Sequence, residues 1–142
     1  FKFTRNMLLG KSIDIYNKGN MFRDFTYISD LVQAIYLLNN KIPMEIKKRN
    51  NIVKNDSLSD VAPFRIINIG NSKPIKLLDF VIELEKVLGI NAKKNFLGMQ
   101  AGDIFKTHSS TTLLKNLTGF EPQITFKEGI AKFVEWYKSY YK

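Results

Sequence analysis

Residues 40–63 interrupt an otherwise regular apolar pattern, and this break limits the possible folds more than any other feature of the sequence. Asn, Lys, Ser and Asp dominate the stretch, with Pro43 and Pro63 near its ends. Such a composition has too little apolar surface to order itself, so it reads as a long surface loop, partly disordered. Neither flank, 1–39 or 64–142, is large enough to hold a core of its own. The flanks must fold against each other, so the 142 residues form one domain with a loop inside it.

In the first flank, Phe3, Met7 and Leu8 share a face at helical spacing, which predicts a short helix over 2–10 ended by Gly10. Ile13 and Ile15 alternate with Asp14 and Tyr16, a strand pattern over 12–17. Asn17-Lys18-Gly19-Asn20 is a turn, and a second strand is expected over 22–28. The two strands are close enough to pair, although the gap is not a tight hairpin. A helix follows over 29–39, with Ser29 or Asp30 as its cap and Ile28, Leu31, Val32, Ile35 and Leu38 as its buried stripe.

In the second flank, Phe64, Ile66, Ile67 and Ile69 predict a strand closed by Gly70-Asn71-Ser72. Residues 75–88 form a strong amphipathic helix on Leu78, Val81, Ile82, Leu84 and Leu88, with Gly89 at its C-terminal cap. A short strand over 93–97 leads into the loop Gly98-Met99-Gln100-Ala101-Gly102-Asp103. A helix over 111–117 stops at Gly119. The last helix opens on the capping-box spacing Thr125 to Glu128 and buries Ile130, Phe133, Val134 and Tyr137. The whole is mixed α/β with helix predominating. Three or four short strands are too few for an independent doubly wound sheet, so they read as a cap over something larger.

Composition narrows the chemistry. With 11 Phe, 6 Tyr and one Trp there is bulk enough for a core. The absence of cysteine excludes disulfides, thiolate metal sites and cysteine nucleophiles. A single histidine, His108, gives little basis for a His metal site or a Ser-His-Asp triad. No apolar run approaches the roughly 20 residues of a membrane helix, and no stretch has the pattern of a signal peptide. The chain starts Phe1-Lys2-Phe3-Thr4, which reads like the middle of a protein, so a fragment is expected. The net charge of +9 favours anionic partners, although a generally Lys-rich surface accounts for it equally. The one compact cluster, Lys47-Lys48-Arg49, has no interleaved aromatic residues, so nucleic-acid binding is not expected.

Three places could hold a ligand. Arg23 opens the second strand with a guanidinium fork suited to bidentate phosphate binding, though a surface Arg paired with a carboxylate would look the same. Gln100-Ala101-Gly102-Asp103 allows close backbone approach, and its Asp can accept bonds from adjacent ribose hydroxyls; a simple turn is the plainer reading. Tyr16 could lie against a flat ring or be half-buried packing.

The order of these pieces says more than each alone. The runs Arg23-Asp24-Phe25-Thr26-Tyr27-Ile28, Asn68-Ile69-Gly70-Asn71-Ser72 before Pro74, and Met99-Gln100 before Gly102-Asp103 resemble the C-terminal portion of an extended short-chain dehydrogenase/reductase. The likeness is greatest to UDP-glucuronate 4-epimerases and similar nucleotide-sugar epimerases, and it spans the chain except for 40–63. It implies a helix-rich C-terminal substrate-binding portion over 1–142, with a few short strands and the Rossmann half absent. It implies that Arg23 contacts the UDP pyrophosphate, that Asp14 to Tyr16 lie along the uracil, and that Asp103 holds the ribose with Gln100 nearby. It further implies a cytoplasmic homodimer in polysaccharide biosynthesis, with no nucleic-acid or membrane partner. In the intact protein, NAD would oxidise C4 of the sugar and return hydride to the other face. A sugar-nucleotide dehydratase or another epimerase of the superfamily, or a non-catalytic module using the basic surface, are the alternatives. Ala101 stands where the family usually has Pro, and Ser109-Ser110 where it often has Ala-Asp, which touches fine substrate specificity.

The family's chemistry also needs a Gly-rich loop for the NAD pyrophosphate and a Tyr-x-x-x-Lys pair. The chain has no Gly-x-x-Gly-x-x-Gly. Tyr16, Tyr27, Tyr36 and Tyr137 are followed four residues later by Asn20, Leu31, Asn40 and Tyr141, and Tyr140 and Tyr141 have no residue at that distance. No catalytic, NAD-binding or metal-binding residue is therefore expected within the chain, and alone it should transfer no hydride.

Overall fold

The computed structural model describes residues 1–44 and 56–141. Helix α1 (Lys2–Leu8) turns Met7 and Thr4 inward, while Leu8, expected on the buried face, is exposed. Strand β1 (Ile13–Ile15) buries both isoleucines completely. Each such side chain contributes roughly 1.5–3 kcal/mol relative to exposure. Strand β1 pairs in parallel with β4 (Lys94–Phe96), Ile13 opposite Lys94 and Ile15 opposite Phe96.

The expected pairing of the first two strands does not occur. After β1 comes a tight left-handed turn (Tyr16–Gly19) in which Asn17, Lys18 and Gly19 have φ of 48°, 51° and 78°. Its Asn17 and Lys18 amides donate to the carbonyls of Gly98 and Leu97, which extends the β1–β4 contact. The chain then leaves as β2 (Phe22–Arg23) in a different sheet, antiparallel to β3 (Ile75–Lys76). On the other edge of β2, the Phe22 amide donates to Phe105 and its carbonyl accepts from Thr107. Strand β2 is shorter than the sequence suggests because the Asp24 amide donates to the Thr107 hydroxyl (3.0 Å) instead of continuing a ladder.

Helix α2 (Ile28–Leu38) has the expected period but is rotated about its axis, so that of the expected stripe only Leu31 and Leu38 are half-buried. Ile28, Val32 and Ile35 are 58%, 56% and 54% exposed, whereas Asp30 and Ala34 are buried. Ala34 is small enough to let α2 pack closely on α4 (Thr112–Thr118), whose Leu114 is buried. Neither Ser29 nor Asp30 caps the helix. Asp30 Oδ2 reaches instead to the backbone amides of Gln123 (3.1 Å) and Ile124 (2.9 Å), a burial that its two bonds make tolerable.

Part of the expected 40–63 loop, residues 45–55, lies outside the described residues, as does Lys47-Lys48-Arg49. Its two ends are tied by Arg65, which makes a bidentate pair with the buried Asp56 and donates to the Lys41 carbonyl. The strand expected over 64–69 is reduced to one bridge, Leu58 with Arg65. Phe64 and Ile66 stay exposed, with no further strand among the described residues to pair with.

The core lies where α3 (Leu77–Leu88) packs on α5 (Phe126–Tyr140), closed below by α1 and β1. Val81, Leu84 and Leu88 of α3 meet Ile130 and Val134 of α5. Tyr137 is also buried, but Ile82 points outward. Thr125 caps α5 by accepting from the Glu128 amide (3.3 Å), while the Glu128 carboxylate pairs with Lys132 rather than reaching back. Among the described residues the strands form two two-stranded sheets, β1 with β4 and β2 with β3. No described helix is long and apolar enough to cross a membrane.

Two outcomes follow from this packing. Gly19→Ala forces a left-handed Ala and places a Cβ 2.4 Å from Leu78 Cγ, whereas at Gly10, with φ +67°, a Cβ would meet nothing within 4 Å. Chemical denaturation is expected to show a loss of about 2–3 kcal/mol for Gly19→Ala and about 1 kcal/mol for Gly10→Ala. At the end of α3, burial raises the Glu85 carboxyl. The bond from Lys94, the Ala92 amide and the Lys94 charge outweigh it and hold its pKa below the ordinary 4.5. A depressed folded value stabilises above the unfolded one and is lost as pH falls through it. The stability gap between wild type and Glu85→Gln should therefore be present at pH 7 and shrink below about pH 4, measured by urea titration.

Candidate functional site

The left-handed turn and the β2 edge enclose one cavity of about 180 Å³, lined among others by Lys2, Asn6, Asp14, Tyr16, Arg23 and Asp103. Its walls come from distant parts of the sequence. Helix α1 supplies Lys2 and Asn6, one turn apart on one face. Strand β1 alternates, so burying Ile13 and Ile15 presents Asp14 to the opposite side, with Tyr16 immediately after the strand. Arg23 ends β2, and the loop after β4 brings back Asp103. The apolar part of the lining includes Phe3, Met21 and Leu77.

Arg23 and Asp103 are paired. The Nη2 atom donates to Asp103 Oδ1 at 2.8 Å, and Nη1 donates to the carbonyls of Phe22 (2.9 Å) and Ile104 (2.7 Å). Both side chains are between a quarter and a third exposed, so the pair is reachable by solvent. Of the five guanidinium N–H groups, these bonds leave Nε–H and one Nη2–H uncommitted among the described residues. Asp103 Oδ1 also accepts from the Ile104 amide at 2.8 Å, leaving Oδ2 without a bond among the described residues. Asp14 Oδ1 accepts from Asn95 Nδ2 at 2.9 Å.

This set can present two N–H donors to an anionic oxygen and carboxylate oxygens to neutral hydroxyls, beside the Tyr16 ring. Two cations and two carboxylates balance around it, so it is not a broadly positive funnel.

Four of the five residues singled out from the sequence, Asp14, Tyr16, Arg23 and Asp103, thus share one cavity. Gln100 does not line it. Its carbonyl accepts from the Asp103 amide at 3.1 Å and closes the turn whose Gly102 has φ 80°, while its side chain is exposed. Lys2 and Asn6 went unnoticed, since a short polar helix face carries no signal beyond their spacing. His108 is exposed beside Ser72, Ser110 and Lys115 in a separate, open recess. No group of acidic or histidine residues that could hold a metal occurs among the described residues.

Residues 1–52 match the model of the NAD dependent epimerase/dehydratase family. Over its whole length the chain is 45% identical to a "Probable UDP-glucuronate 4-epimerase" of Rhizobium meliloti, of which it spans 42%. It is 39% identical to UDP-glucuronate 4-epimerase 1 of Arabidopsis thaliana, with 99% of the chain and 32% of the relative covered. Its fold matches a crystal structure of a Bacillus cereus UDP-glucuronic acid 4-epimerase, a Y149F variant in complex with UDP-4-deoxy-4-fluoro-glucuronic acid and NAD. The TM-score is 0.75 at 27% identity, over 98% of this chain and 39% of that one. The chain therefore spans less than half the length of these relatives, and the resemblance read from its motifs holds.

The Arg23–Asp103 pair is too exposed to carry the fold. Asp103→Ala is expected to lower stability by no more than about 1 kcal/mol, measured by denaturant titration, because surface ion pairs contribute about that at most.

Proposed function

We propose, from a chain that resembles the nucleotide-sugar epimerases of the extended short-chain dehydrogenase/reductase superfamily, that this is the C-terminal, UDP-sugar-holding portion of such an enzyme. The intact protein would invert C4 of a UDP-sugar, UDP-glucuronate being favoured by the relatives' names. The observation that carries the reading is the convergence of Asp14, Tyr16, Arg23 and Asp103 on one cavity. The two free N–H groups of Arg23 suit a pyrophosphate oxygen, since a planar fork binds such oxygens bidentately. Asp103, held beside it, has an oxygen left for a ribose hydroxyl. Tyr16 and the end of β1 form a wall for the uracil ring.

In this role the chain's own residues bind and orient. Gripping the UDP handle supplies remote binding energy while the sugar, beyond the pyrophosphate, is left to turn. NAD would supply the redox chemistry when bound, but this chain does not fit it. It has no Gly-rich phosphate loop, and its described strands build no doubly wound sheet. The exposed stripe of Ile28, Val32, Ile35 and Tyr36 on α2 supports a larger partner in the same polypeptide. A row of that kind at helical spacing is what a packed interface leaves when its other side is taken away. The remaining length of the relatives would supply that other side, together with the dinucleotide site and the catalytic Tyr and Lys. A cytoplasmic location and a homodimeric intact enzyme are part of the same proposal.

Calorimetric titration of UDP into the protein carrying this chain is expected to show Arg23→Ala weakening affinity at least about tenfold, the loss of a charged bidentate contact. Unchanged affinity would count against the role of Arg23. The 142-residue chain alone is expected to give no UDP-glucuronate turnover with added NAD. Turnover there would mean that the reacting groups lie within it.

A further inference from the structure

The carboxylate of the residue beside Arg23 accepts from four backbone amides. Asp24 Oδ1 accepts from the amides of Asn71 (3.2 Å) and Lys73 (3.3 Å), and Oδ2 from those of Ser72 (3.0 Å) and Ser109 (3.1 Å). Three successive amides, at 71–73, wrap the carboxylate in the concave arrangement that backbone uses to hold anions. The fourth comes from a segment 37 residues further on. Ser72 has φ 57° and closes the gap itself, its hydroxyl donating to the Ser109 carbonyl at 2.6 Å. Gly70 is buried where no side chain fits, since a Cβ there would lie 2.4 Å from Ser109 Cβ and 3.1 Å from Asp24 Oδ2. The Asp24 amide is also engaged, donating to Thr107 Oγ1 at 3.0 Å.

These bonds converge on the segment that follows Asp103. Residues 105–107 run beside Phe22, and Ser109 is fastened to Asp24 just beyond them. At the near end of that run, the Ile104 carbonyl and the Asp103 carboxylate receive the Arg23 guanidinium. Arg23 and Asp24 therefore grip the same loop at its two ends, one facing the cavity and the other away from it.

We propose that Asp24 is a positioning residue for the UDP-sugar site. It fixes the 103–109 loop so that Asp103 and the Ile104 carbonyl hold the Arg23 guanidinium in its binding orientation. The proposal rests on the UDP reading above. It predicts that Asp24 acts through Arg23 and makes no ligand contact. In Asp24→Asn an NH₂ replaces one oxygen and faces two N–H donors, so two of the four bonds are lost whichever way the amide turns.

The test is a double-mutant cycle in the protein carrying this chain, with UDP titrated calorimetrically into wild type, Arg23→Ala, Asp24→Asn and the double variant. Asp24→Asn is expected to weaken UDP about tenfold, and the double variant to be no weaker than Arg23→Ala alone, the non-additivity of two residues acting as one unit. With UDP-glucuronate as substrate, the Asp24→Asn loss should fall mainly on KM, with kcat little changed. Gly70→Ala leaves the charge in place but pushes Ser109 off it. It should reproduce the same KM effect, which keeps the test open if Asp24→Asn fails to fold. Arg23→Ala weakening UDP while Asp24→Asn has no effect, or adds fully to it, overturns the positioning role and leaves the UDP reading standing. Arg23→Ala without effect overturns the UDP reading itself, and the role of Asp24 with it.

Discussion

The close approach of Gly19 to Leu78 is the constraint on which the shape of the site depends. A side chain there would have to displace Leu78, and the left-handed φ of 78° favours glycine over any residue with a Cβ. The turn ends β1 beside β4 and delivers β2 to a second sheet against β3 and residues 105–107. Asp14 and Tyr16 lie before it and Arg23 after it, so one reversal of the backbone makes three nearby residues into opposite walls of a cavity. A hairpin between the two strands would have aligned them side by side with no space between.

Apolar burial and charge do different work around that turn. Ile13, Ile15, Leu84 and Val81 are fully buried and anchor the sheets to the α3–α5 pair. Two carboxylates hold backbone: buried Asp30 takes two amides ahead of α5, and half-buried Asp24 takes four around the site. The groups left reachable, Arg23 and Asp103, hold each other and keep bonding capacity to spare. Such a division suits a region that must be rigid as a frame yet able to take in and release a ligand.

Much of this was legible in the sequence where a pattern is local. The alternation of Ile13 and Ile15, the amphipathic period of α3 and the Thr125 cap each express physics acting over a few residues, and each helix formed close to its expected place. The cavity was legible because motif order points to the same few residues, four of which meet in it. What was not legible is set by partners distant along the chain. The inward face of α2 was misread because Ala34 and Asp30 gain more from Leu114 and the 123–124 amides than Ile28, Val32 and Ile35 gain from any described neighbour. Residues 64–69 have the composition of a strand but no described strand to pair with, and a ladder needs two sides. Gln100, which the resemblance implies beside Asp103, is exposed and does not line the cavity; its carbonyl closes the turn to the Asp103 amide.

We place the nucleotide of a UDP-sugar in the space among Asp14, Tyr16, Arg23 and Asp103. A crystal structure of the protein carrying this chain, soaked with UDP, tests it most directly. The expected density has the diphosphate on the Nε and Nη2 edge of Arg23, the ribose at Asp103 and the uracil beside Tyr16. UDP bound elsewhere, with Arg23 still closed on Asp103 and the cavity empty of nucleotide, would contradict it.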